Sequence, residues 1–76
     1  PSGSGAEQLL EFAQHLFEMG EYYRAISEYQ RFIFFYPQHP QVPQARFQIG
    51  ACYFAGEEWE EAARVWQASL GRAISA

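Results

Sequence analysis

The chain carries one pattern twice. Around Ala25 and again around Ala62, large apolar, small and aromatic residues stand at matching offsets. Phe12 and Ile49 precede their alanines by thirteen residues, Ala13 and Gly50 by twelve, Leu16 and Tyr53 by nine, and Tyr22 and Trp59 by three. Tyr29 and Trp66 follow by four, Ile33 and Leu70 by eight. Self-similarity at a fixed spacing implies two copies of one supersecondary unit. Stacked units bury a core between neighbours and expose an extended surface, so the expected function is to hold a partner, not to run chemistry in a pocket.

The period inside each copy is helical. Leu9, Phe12, Ala13, Leu16 and Phe17 recur at helical spacing after Ser4 and Glu7, an S-x-x-E capping box, and Gly20 closes the run. A second helix is expected from about Glu21 to Tyr36, burying Tyr22, Ala25, Ile26, Tyr29, Phe32 and Ile33, with Pro37 as its stop. Three prolines between 37 and 43 make a stiff connection, and Pro43 suits the first turn of a third helix that carries Phe47, Gly50, Tyr53 and Phe54 and ends near Gly56. A fourth runs from about Glu57 to Leu70, with Gly71 as its expected C-cap. Short turns force antiparallel neighbours, giving two helical hairpins in which Ala13, Ala25, Gly50 and Ala62 permit close crossings. The expected organisation is a linker or engineering scar over 1–5, one repeat over 6–37, the proline connection over 38–42, a second repeat over 43–71 and a tail over 72–76.

Composition limits the functions available. The 76 residues suffice for one small domain. Nine glutamates against five arginines, with no lysine, give a net charge of −4, the wrong sign for nucleic acid. The longest apolar run, Phe32 to Tyr36, is too short for a membrane span. No basic, hydrophobic segment opens the chain, so a signal peptide is expected to be removed or never present. Lys, Asp, Asn and Thr are all missing, which fits a GC-rich bacterial source or an edited sequence.

The large residues at Leu16/Tyr53, Tyr22/Trp59 and Tyr29/Trp66, the small ones at the crossings and Pro37 at the end of the first copy resemble the tetratricopeptide repeat over about 6–70. The resemblance implies an all-α fold of four antiparallel helices, a fragment of an α-solenoid. Three departures stand out. The two alanines lie 37 residues apart, against the family's usual period of about 34. Gly56 precedes Ala62 by six residues where Gly20 precedes Ala25 by five, which reads as a second turn one residue longer. Phe32, Phe34, Phe35 and Tyr36 correspond to Ser69, Gly71, Arg72 and Ala73, a weaker outer face. The string Tyr36-Pro37-x-His39-Pro40-x-x-Pro43-x-Ala45-x-Phe47-x-x-Gly50 is similar to repeats of bacterial outer-membrane assembly lipoproteins and the periplasmic partner of the Tol-Pal system. That implies the periplasm or cell envelope.

The resemblance also implies that the first helix of each repeat lines a concave face. Leu10, Gln14 and Phe17, with Phe47, Ala51 and Phe54, are the candidate partner-binding residues, read either as an apolar groove for a peptide or protein or as part of the core or a dimer seam. Glu7, Glu11, Gln44 and Gln48 flank that face as a mildly acidic rim. Val65 and Trp66 are candidates for self-association, a homo-oligomer with a dimer first, which makes a self-assembling scaffold the second functional reading. The missing lysines and asparagines argue against a clamp for acidic chaperone tails. His15, His39 and Cys52 lack ligand spacing, so no metal or cofactor is expected, and Cys52 is expected to pack as a small hydrophobe. Glu57, Glu58, Glu60 and Glu61 suit a helix N-terminus, and Glu60 is four before Arg64. No nucleophile, base and pocket combine, so no enzyme activity is expected.

Overall fold

A computed structural model describes residues 5–75, and the side chains of 5–71. Four helices follow in order, α1 Gly5–Glu18, α2 Tyr22–Phe35, α3 Val42–Ala55 and α4 Trp59–Ser75, with no strand among the described residues. Each packs on the next, α1 on α2, α2 on α3 and α3 on α4. The result is two antiparallel hairpins laid side by side in a slab of 38 × 32 × 14 Å. α3 is flanked on both sides and is apolar around most of its circumference, as a helix between two neighbours must be. Ser4 of the expected capping box lies outside the described residues.

The small residues sit at the crossings. Ala13 and Ala25 are fully buried, and Ala62 is buried at the equivalent place in the second hairpin. Gly50 goes further: a Cβ there would collide with the Trp66 indole, which lies across the helix and donates its Nε1–H to the Phe47 carbonyl at 3.1 Å. Phe32, also fully buried, anchors the connection; His39 packs edge-on against it with ring centroids 5.1 Å apart. His39 Nδ1 accepts the Gln41 N–H at 3.1 Å, and the Val42 N–H donates to the His39 carbonyl at 3.1 Å, so His39 ties the proline segment to the start of α3.

Three details correct the sequence reading. The two hairpin turns have the same length. Glu21 N–H bonds the Leu16 carbonyl and Glu58 N–H the Tyr53 carbonyl; Gly20 N–H bonds that of Phe17 and Glu57 N–H that of Phe54. The left-handed position is Gly20 at φ 81° in the first turn and Glu57 at φ 63° in the second, so Glu57, not Gly56, is the counterpart of Gly20. α4 does not cap at Gly71 but runs on to Ser75, because no proline follows and Arg72 and Ala73 favour a helix. Finally, Arg64 pairs with Glu61 at 2.7 Å, three positions before it, and not with Glu60, four before.

Candidate functional site

A groove of about 610 Å³ runs between α1 and α3. Its α1 edge is formed by Glu7, Glu11, Gln14 and Glu18, spaced at i, i+4, i+7 and i+11 so that they share one helical stripe. Its α3 edge carries Gln41, Gln44 and Gln48, with Leu10, Ala45 and Tyr29 between the two. The floor is a hydrogen-bonded network. The Tyr29 hydroxyl donates to Gln14 Oε1 at 3.1 Å, and Gln48 Nε2 donates to the same oxygen at 3.2 Å. Gln14 Nε2 in turn donates to Glu18 at 3.2 Å. Burial raises the Tyr29 phenol above its ordinary pKa, so it stays a neutral donor.

The six candidate binding residues do not form one apolar face. Leu10, Gln14 and Phe17 are the register counterparts of Phe47, Ala51 and Phe54, and the two sets occupy different surroundings. Leu10 and Gln14 line the groove against α3. Phe17 packs its ring on Tyr22, centroids 5.7 Å apart, at the margin of the core. Phe47 and Phe54 point to the far end of the molecule: Phe47 stacks on Trp66 at 5.4 Å, and Phe54 meets Trp59 edge-on at 4.9 Å. Ala51 is half-buried at the same register as Gln14. Of the self-association candidates, Val65 packs against the core and only Trp66 joins that aromatic end.

The groove is therefore mixed, with glutamates and glutamines along its edges and Leu10, Ala45 and Tyr29 between them. Glu7, Glu11, Gln44 and Gln48, the expected rim, all line it, and Gln14 and Glu18 complete the α1 stripe. Gln41 and His15, which also line the groove, carried no pattern that marked them. No group of three or more His, Cys, Asp or Glu among the described residues could hold a metal. Burial pushes the Cys52 thiol up to about 11, which keeps it un-ionised and unreactive near neutral pH. No helix among the described residues is long and apolar enough to cross a membrane.

A family model described as anaphase-promoting complex, cyclosome, subunit 3 matches residues 2–69. No curated protein and no solved structure matches the chain.

Proposed function

The chain belongs to the anaphase-promoting complex, cyclosome, subunit 3 family, whose repeats are of the tetratricopeptide type, and from that premise we propose a non-enzymatic module that holds a protein partner by an extended, basic segment laid in the α1–α3 groove. The family description names a subunit of a complex, which favours a protein as the partner. The observation that carries the reading is the preorganised amide floor of Gln14, Gln48 and Tyr29 beneath an edge of three glutamates. Amide side chains offer both a donor and an acceptor, the complement of an extended peptide backbone. Their mutual hydrogen bonds hold the rotamers that a peptide would meet, which lowers the entropy lost on binding.

The charge pattern selects the segment. Glu7 and Glu11 lie four residues apart, about 6 Å along a helix. Two residues of extended chain span roughly the same distance. A peptide with arginine at alternate positions thus places successive guanidinium groups over successive carboxylates. Such rim contacts govern encounter rate and salt dependence more than final affinity.

The test is titration of a fluorescent alternating Arg-Ala hexapeptide, read by anisotropy at low and raised salt. Saturable binding that weakens with salt is expected. Glu11→Gln should weaken it roughly 2- to 5-fold, the size of an exposed ion pair. Gln14→Ala with Gln48→Ala should weaken it further. Binding equal to that of an alternating Glu-Ala peptide would remove the proposal.

A further inference from the structure

A second cavity, of about 390 Å³, opens between the two hairpins at the end of the molecule where their turns lie. It shares no lining residue with the groove. The start of α2 forms one side and the end of α3 with its following turn the other, so residues of these two hairpins supply all of its walls. Tyr22 and Tyr23 line it from the first turn of α2, and Tyr53 from the last turn of α3. Tyr22 is held by two contacts. Its ring packs on Phe17 with centroids 5.7 Å apart, and it reaches Gly56, where an added Cβ would stand 3.7 Å from its Cδ2. The floor is apolar: Ile26 is 5% exposed, and Cys52 is fully buried with a neutral thiol.

The rim is acidic. Glu21 and Glu58 line the cavity, and the Tyr23 hydroxyl donates to Glu58 across the hairpin boundary, which holds that carboxylate at the mouth. Glu21 opens α2, but its carboxylate caps no backbone N–H. Glu57 precedes Glu58, and Glu60 and Glu61 follow in the first turn of α4. Arg24 also lines the cavity, exposed and of the opposite sign, and the glutamates outnumber it. Aromatic rings and carboxylates together attract a cation. The floor selects its kind. A primary ammonium carries three N–H donors and a guanidinium five. Over Ile26 and Cys52 those donors would lose water without gaining acceptors. A trimethylammonium group has no N–H to satisfy, and its methyl groups gain from apolar burial.

We propose that the cavity between the hairpin turns binds a quaternary ammonium group, with Tyr22, Tyr23 and Tyr53 as its walls and Glu21 and Glu58 as its counter-charge. A trimethylated lysine side chain of a partner protein and a free choline-type molecule both present this head group. The site is separate from the peptide groove and does not rest on it.

The probes are choline, its uncharged carbon analogue 3,3-dimethylbutan-1-ol, and a pair of glycine-serine peptides with trimethyllysine or plain lysine at the centre. Binding is read by two-dimensional amide NMR. Choline should shift the amides of Gly20, Tyr22, Tyr53 and Gly56 saturably. The uncharged analogue should bind roughly five-fold more weakly, the size of one cation–π contact, and lysine more weakly than trimethyllysine by a similar factor. Tighter binding of the trimethyllysine peptide than of choline assigns the group to a protein partner, and the reverse order to a free ligand. Tyr53→Leu and Glu58→Gln, with helicity checked by circular dichroism, should each weaken choline binding. Arg24→Gln, at an exposed position, should strengthen it, and Gln48→Ala should leave it unchanged, which separates this site from the groove. Equal binding of choline and the uncharged analogue, trimethyllysine no tighter than lysine, or no saturable shift at these amides would each overturn the proposal.

Discussion

At the scale of single residues, the two turns form a built-in comparison of glycine and a substituted residue at one backbone conformation. Gly20 takes φ 81° without strain, whereas Glu57 holds φ 63° against the repulsion between its Cβ and the following carbonyl. A side chain at Gly20 would meet nothing within 4 Å, so the backbone term is isolated there. Glu57→Gly should stabilise by about 1 kcal/mol, raising the melting midpoint by roughly 4–8 °C for a domain of this size. Gly20→Ala should lower it by a similar amount. Equal midpoints for Glu57→Gly and the parent would mean that the left-handed turn is not populated in solution.

Cys52 and Tyr29 give a second residue-scale expectation. Both are acids whose folded pKa is raised, chiefly by burial, the thiol from 9.0 to about 11. The folded form therefore holds these protons more tightly, and the stabilisation is fully present below the unfolded pKa. It is lost as pH rises from about 9 towards about 11. Melting midpoints should fall across that interval, and less steeply in Cys52→Ala. A flat profile for the parent would contradict the burial of the thiol.

At the scale of elements, the helices and their crossings were legible because small residues recur where backbones approach. Ala13, Ala25, Gly50 and Ala62 marked those places correctly, and all are buried. The second turn was misread because Gly56 looked like the counterpart of Gly20; composition pointed to a glycine while the backbone used Glu57. The end of α4 was misread for the same reason, since a glycine inside a helix costs only about 1 kcal/mol and does not stop it alone. Gly50→Ala tests the tightest crossing. Its gain in helix propensity, about 1 kcal/mol, opposes a clash with the rigid Trp66 indole. Overpacking costs typically 1–3 kcal/mol. Net destabilisation is expected in thermal melts, and Ala62→Leu should behave likewise. A stabilised Gly50→Ala would mean that Trp66 lies elsewhere.

At the scale of the whole molecule, two surfaces emerge from one repeated set of positions. Leu10 and Gln14 line the groove against α3 and Phe17 packs on Tyr22 of α2, while Phe47 and Phe54 meet the α4 rings of Trp66 and Trp59. Sequence register identified the set; which copy is covered depends on where each hairpin stands in the stack. The groove's polar edges come from the α1 stripe meeting the amides of α3, a pairing that exists only once the two helices lie side by side. The most direct measurement is a two-dimensional amide NMR titration of the chain with the alternating Arg-Ala peptide. Shifts should concentrate at Leu10, Glu11, Gln14, Gln44 and Gln48, with the indole N–H signals of Trp59 and Trp66 unmoved. Shifts centred on the two indoles, or spread over every helix alike, would contradict recognition in the α1–α3 groove.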